Sequence, residues 1–200
     1  RALRDGASTG RLASPIVRQS PGYYLAVGPD AVDLTVFASS VGRAAAAVEA
    51  HDWTVALAQA DAAMSLWRGP FLEDLRDQPW VGPEAAAADE MRRDCLDYRI
   101  SALLALGRVP LALASAAQLS AADPLSDRAC WLRVLTLYRA GRTSDALEAY
   151  TRHARTLDDE LGLQPGPELR ELQTAILRQA PELAAWPRHP EWTGAAEVAT

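Results

Sequence analysis

Tyr138 to Tyr150 reads YRAGRTSDALEAY. A Gly-Arg pair stands near its start, Ala146 follows the glycine by five positions, and Tyr150 comes four beyond that. The stretch GRVPLALASAA, opening at Gly107, has the same pair and again an alanine five places on, at Ala112. Gly107 and Gly141 are 34 positions apart, and Pro124 lies 17 after the first. In two antiparallel helices joined by a tight turn, glycine lets the first helix end in a left-handed conformation, and a small residue on the second lets the backbones approach closely.

A period near 34 residues with a proline at the end of the unit is the pattern of the tetratricopeptide-type helical pair. Two other readings are open: chance recurrence of Gly-Arg in an arginine-rich chain, and ordinary bundle helices. Period, alanine, proline and long flanking helices together favour the stack. Two such repeats cannot bury their own outer faces, so the helices between Asp33 and Leu106 are expected to supply the remaining layers.

Those helices are legible from apolar spacing. Asp33 is placed to cap a helix running to about Ala50 on Leu34, Phe37, Val41, Ala45 and Val48. A second runs from Trp53 to Trp67. RGPFLEDLRDQPWVGP, from Arg68 to Pro83, holds two glycines and three prolines and reads as loop, with Phe71, Leu72 and Trp80 expected as anchors. From Glu84 to Leu106 runs the longest helix, with one stripe through Ala88, Met91, Cys95, Tyr98 and Ala102 and a second through Leu96, Ile100, Leu103 and Leu104. Two apolar faces imply neighbours on both sides. Pro110 suits the first turn of the next helix, which runs to about Ser120. Ser126 starts another on Ala129, Leu132 and Leu135. Thr143 starts the next on Ala146, Tyr150, Ala154, Leu157 and Leu161, stopping at Gly162. Pro167 opens the last, on Leu169, Leu172 and Ile176, and Pro181 closes it. Ahead of all of these, RALRDG reads as a last helical turn closing at Gly6, and SPIVRQS with GYYLAV as a β-hairpin. An isolated hairpin is marginal in water, so it is expected to lean on helices upstream of residue 1.

Composition narrows the function. Of 200 residues, 49% are hydrophobic, enough for a sizeable core in one domain with appendages. No apolar run approaches the roughly 18 residues that suggest a membrane span, which points to a cytoplasmic protein without a membrane partner. The start at Arg1, without methionine or a leader, is read as part of something longer. Cys95 and Cys130 lie inside apolar helical patterns and read as buried thiols of a reducing compartment. Every basic residue is arginine, and the net charge is −6. Arg1, Arg4, Arg11 and Arg18 face a single Asp5 in the first 29 residues, so a basic end precedes a more acidic body.

Enzymatic readings find no footing. The sequence has no G-x-x-x-x-G-K-[ST], H-E-x-x-H or G-x-S-x-G and no Cys/His cluster with metal spacing. His51, His153 and His189 are scattered and read as surface or packing histidines. Asp158, Asp159 and Glu160 lack the spacing of a calcium loop and read as a solvated helix face. No metal, no cofactor and no catalytic residue is expected.

GYYLAV followed by VDLTVF, then SLWRGPFLEDL, LTLYRAGRTSDALEAY and DDELGLQPGPELRELQTAIL, resemble in order the bacterial transcriptional activator domain of the Streptomyces antibiotic regulatory protein family. The resemblance covers about residues 15 to 183. It places the family's aspartate at Asp33, its Trp-Arg-Gly at Trp67, Arg68 and Gly69, and the helical-pair turn at Gly141 and Arg142. It implies an all-helical regulatory domain behind a winged helix-turn-helix, supporting homodimerisation and contact with RNA polymerase subunits. Residues 1–29 then correspond to the end of the DNA-binding domain, with IVRQSPGYYL as its wing, 30–183 to the activator domain, and 184–200 to a linker or tail.

The fold expected is mainly α, a tetratricopeptide-like antiparallel stack behind a short hairpin. Promoter DNA is the partner implied for the winged domain, most of which lies upstream of Arg1. Arg18 on a wing strand, with Arg1, Arg4 and Arg11, is the candidate set for phosphate contacts. Gly107, Ala112, Pro124, Gly141, Arg142 and Ala146 are the structural residues of the repeat. The competing reading is a tetratricopeptide-like adaptor that binds peptides and has no dealings with DNA.

Overall fold

The computed structural model describes residues 15–184. The chain enters as a two-stranded antiparallel hairpin, β1 (Ile16–Gln19) and β2 (Gly22–Leu25), with Arg18 opposite Tyr23 and Val17 opposite Tyr24. Seven α-helices follow: α1 (Asp33–Glu49), α2 (Trp53–Leu66), α3 (Val81–Ala105), α4 (Val109–Ala122), α5 (Asp127–Arg139), α6 (Thr143–Leu161) and α7 (Pro167–Leu177). Single 3-10 turns lie at Pro29–Ala31, Glu73–Leu75 and Pro181–Ala184.

The helices pair as α1/α2, α3/α4 and α5/α6, and α7 closes the row. First members stack on one another, α1 on α3, α3 on α5 and α5 on α7. Each second member packs between its own partner and the next first member, α2 against α1 and α3, α4 against α3 and α5. This is the tetratricopeptide-like stack that the repeat implied. It explains the two apolar stripes of α3, since Cys95 is buried in a cluster with Phe37, Val41 and Ala60, while Leu96, Ile100, Leu103 and Leu104 belong to the larger core shared with α4 and α5.

The repeated Gly-Arg is a repeated hydrogen-bonded turn. At the end of α3 the Arg108 amide donates to Leu103 O (2.8 Å) and the Gly107 amide to Leu104 O (3.1 Å). At the end of α5 Arg142 N donates to Leu137 O (3.0 Å) and Gly141 N to Tyr138 O (2.9 Å). These paired 6→1 and 5→2 bonds are the Schellman motif, which needs a left-handed residue at the position glycine occupies. Gly107 has φ 69° and Gly141 φ 76°. Five residues on, Ala112 and Ala146 are both fully buried.

The same turn ends α1 with no glycine to announce it. Asp52 N donates to Ala47 O (2.8 Å), His51 N to Val48 O (3.0 Å), and His51 takes φ 56°. Five residues on, Ala56 is fully buried. All three pairs therefore share one hinge and one small contact residue, and the inserted segment between α2 and α3 breaks the even spacing. Asp52 also caps α2, its Oδ1 accepting from Val55 N at 3.1 Å, as Ser126 caps α5 by accepting from Ala129 N at 3.2 Å.

Several local expectations are corrected. Asp33 is the first residue of α1 and not its N-cap, which is Val32; its Oδ1 accepts from Leu34 N at 2.9 Å and its Oδ2 lies 2.8 Å from Arg68 Nη2. α3 starts at Val81, not Glu84, because Gly82 and Pro83 fall in the first turn, where a missing donor costs nothing. Leu72 and Trp80 are 36% and 58% exposed and anchor little; Phe71 is half-buried, and the fully buried residue of this segment is Val81. Leu161 is 53% exposed. Asp127, the first residue of α5, sits opposite His153, so the turns of α6 beyond it outrun their antiparallel partner.

Polar ties cross the layers. Arg128 of α5 grips Asp97 of α3 with two bonds, Nε to Oδ2 at 2.6 Å and Nη2 to Oδ1 at 2.9 Å. Arg99 of α3 donates Nε to Asp61 of α2 at 2.6 Å and also reaches Ser115 of α4. The first of these is a bidentate, charge-assisted arrangement, which fixes orientation as well as adding energy.

Candidate protein-interaction surfaces

Of the arginines proposed for phosphate contact, Arg18 stands exposed on β1. Arg1, Arg4 and Arg11 lie outside the described residues, as do the RALRDG turn and the tail from residue 185 on. The hairpin carries unusual apolar exposure: Ile16, Tyr23 and Leu25 are 59%, 73% and 55% exposed. Tyr23 stands opposite Arg18, so cation and ring sit side by side on the sheet.

Two regions of concave surface among the described residues bring aromatic or basic side chains together. The first lies where α4 and α6 diverge across α5, a groove of about 320 Å³ with Ala117, Ala121 and Ala149 on its walls and Arg133, Arg152 and His153 around it. Arg133 Nη1 donates to Leu113 O at 3.1 Å. Burial, and then the nearby Arg142 and Arg152, push the Arg133 guanidinium down from its ordinary value. Pro124 belongs to this groove, and its carbonyl accepts a hydrogen bond from His153 Nδ1 at 3.1 Å. His153, buried, also meets Asp127 Oδ1 through Nε2 at 2.6 Å, while Asp127 Oδ2 accepts from Gly166 N at 2.6 Å. One carboxylate thus ties the start of α5, the middle of α6 and the entry to α7. Arg142 stands at the far end of the pair, exposed, with its guanidinium 2.5 Å from Asp145.

The second surface is built around the segment after α2. Trp67 packs on Phe37 with ring centroids 5.3 Å apart and planes tilted by 51°, and the Arg92 guanidinium lies over the indole at 5.4 Å. Residues Trp67 to Pro70 form a ridge with a hollow on each side. One hollow, of about 240 Å³, is lined by Leu34, Phe37, Leu66, Phe71 and Leu72 with Asp33 at its rim. The other, of about 480 Å³, is lined by Arg68, Arg76, Asp89 and Arg92. Arg76 Nη2 lies 3.3 Å from Asp89 Oδ2.

Sequence reasoning missed the His51 turn, the Asp127 clasp and the Arg92–Trp67 contact. Ala56, five residues after His51, and the capping Asp52 were available signals for the first. The other two join residues 26 and 25 positions apart on different elements, a separation no local pattern encodes.

Both thiols are buried, and burial pushes Cys95 and Cys130 up to about 12. Among the described residues, no group of three or more His, Cys, Asp or Glu could hold a metal ion, and no helix is long and apolar enough to cross a membrane.

Comparison with known proteins supplies the family. The profile of the bacterial transcriptional activator domain matches residues 32–177. The transcriptional regulator RedD of Streptomyces coelicolor is 41% identical over 162 residues, covering 81% of this chain and 46% of RedD. The regulatory protein DnrI of Streptomyces peucetius is 35% identical over 195 residues, 97% of this chain and 71% of DnrI. Among solved structures, Mycobacterium tuberculosis EmbR in complex with a low affinity phosphopeptide superposes with a TM-score of 0.77 at 34% identity, covering 85% of this chain and 46% of EmbR. The chain therefore spans about half the length of RedD and EmbR. A profile match that takes in all seven helices, together with relatives of this similarity, shows that the chain belongs to the bacterial transcriptional activator domain family, in the form found in Streptomyces antibiotic regulatory proteins.

Proposed function

We propose that this chain is the regulatory and protein-interaction part of a DNA-binding transcriptional activator, acting in the cytoplasm and not as an enzyme. The observation that carries the reading is the stack of three helical pairs, which presents concave surfaces. Solenoids of this kind hold partners in their grooves. In this reading residues 1–29 are the end of a winged helix-turn-helix, with β1 and β2 as its wing, residues 30–183 are the activator domain and 184–200 a linker. Arg18, with Arg1, Arg4 and Arg11, contributes phosphate contacts that position the wing without reading bases. The activator domain supports homodimerisation and contacts RNA polymerase subunits. The exposed Ile16, Tyr23 and Leu25 favour a hairpin that leans on neighbouring helices of the DNA-binding domain.

The experiment is promoter-directed transcription reconstituted with RNA polymerase and the whole protein, with and without residues 32–177. Deletion should abolish activation while leaving specific, salt-sensitive promoter binding measurable by gel shift. Activation that survives the deletion overturns the assignment. Whole protein without any specific promoter binding at low salt would favour the adaptor reading.

A further inference from the structure

We propose that the ridge Trp67–Pro70 is a docking site for an acidic-apolar peptide segment of a partner protein, with a carboxylate on one side and an apolar side chain on the other. It rests on the protein-interaction reading above and gives it a location and a chemistry.

The basic hollow is lined by three guanidiniums, those of Arg68, Arg76 and Arg92, and one carboxylate, Asp89, with the Glu73 carboxylate near Gly69 on the ridge. The Arg92 guanidinium carbon lies 5.4 Å from the Trp67 ring centre, and its buried Nε has no hydrogen-bond partner among the described residues. A buried donor left without a partner is costly, and a carboxylate is the acceptor that two or more guanidiniums converge on best. Arg68 lines both hollows and is 82% exposed in its pair with Asp33, a surface ion pair worth little and easily exchanged for an incoming acid.

The neighbouring hollow has the opposite character. Leu34, Phe37, Leu66 and Phe71 give it apolar walls beside the Phe37–Trp67 pair, and Leu72 at its edge is partly in water. The two hollows share Trp67, Arg68, Gly69 and Pro70, so a single extended segment crossing the ridge reaches both. Charge complementarity therefore selects an acid, and the second compartment selects a peptide over a nucleic-acid duplex, whose bases are paired inside. A sugar-phosphate backbone has anions to offer the arginines and no aliphatic side chain to fill the other side. The net charge of −6 also weighs against a duplex, whose charge density far exceeds that of a short peptide.

The test is fluorescence anisotropy on the full chain with a labelled peptide set on a Gly-Ser background, each member carrying one Glu-Glu pair and one Leu or Phe at a stepped spacing. At least one spacing should bind saturably. Arg76→Gln, an exposed substitution, and Arg92→Gln should each weaken that peptide about tenfold or more. Replacing its Glu-Glu by Gln-Gln, or its Leu or Phe by Ser, should weaken it similarly, while Arg155→Gln on α6 should leave it unchanged. The indole N–H resonance of Trp67, assigned through Trp67→Phe, should move on titration with the wild-type chain, which guards against a variant that merely unfolds. Failure of every peptide to bind, binding indifferent to Arg76→Gln, or a random duplex DNA bound as tightly and lost with Arg76→Gln would each overturn the proposal. Whole protein carrying Arg76→Gln that still activates transcription normally would sink the site alone, leaving the broader function standing.

Discussion

Replacing Gly141 by alanine isolates the turn on which the stack depends. Gly141 has φ 76°, and a Cβ built there meets no atom within 4 Å, so packing opposes nothing and the whole cost is conformational. Holding an L residue in the left-handed region costs about 1–2 kcal/mol. The stiffer unfolded chain of alanine returns about 0.4–1 kcal/mol. The net expected loss is about 1 kcal/mol, or about 2–4 °C in melting midpoint for a domain of this size. His51 supplies the mirror experiment, since its φ of 56° already carries an L residue in the same turn. His51→Gly reverses both terms and forfeits a ring contact with Trp53 at 5.4 Å between centroids, so a change between zero and about 0.5 kcal/mol of stabilisation is expected. Urea unfolding followed by circular dichroism, with midpoint and slope fitted separately, measures both. A Gly141→Ala chain as stable as the parent, or a His51→Gly chain destabilised by more than about 1 kcal/mol, would refute the shared-turn argument.

Three further perturbations address packing and chemistry. Ala146→Leu puts a larger side chain where the residue is fully buried, and the overpacked α5/α6 pair should lose about 1–3 kcal/mol in the same unfolding assay; no loss would mean Ala146 faces no neighbour. Asp127→Ala removes the carboxylate that accepts from Gly166 N and meets His153 Nε2, leaving both without that partner, and should cost about 1–3 kcal/mol, with faster amide exchange at Gly166 as its local signature. Thiols held near 12 stay protonated at pH 8, so Cys95 and Cys130 should resist an aromatic disulfide reagent until denaturant is added; fast labelling of the native chain would contradict their burial.

How much of this was readable in one sequence depends on how each feature is encoded. Turn and contact residue were legible at Gly107 with Ala112 and at Gly141 with Ala146, because glycine is the residue a left-handed helix end favours and its signal survives without context. The same turn at His51 was not, since an imidazole there advertises surface or packing and the strain it carries is invisible in composition. The two stripes of α3 were legible as periodicity and correctly implied neighbours on both faces. Leu161 fits the stripe of α6 equally well and lies in water, because periodicity cannot report where a partner helix ends. Trp80 illustrates the opposite failure: a large aromatic in a proline-rich loop invites burial, yet Val81 beside it takes the buried place. The Trp67 ridge was quoted as a motif, and its surroundings, Arg76 from later in the same loop and Arg92 from α3, were brought together only by the fold.

Under the proposed function, residues 32–177 form a scaffold for proteins, and the specific handling of DNA lies elsewhere. The most direct test sets this chain, at one salt concentration, against RNA polymerase holoenzyme on one sensor surface and the native promoter duplex on another. Saturable binding to the polymerase with no preference for the promoter over a scrambled duplex is the predicted result. A salt-resistant, sequence-selective complex with DNA and no binding to polymerase would contradict it.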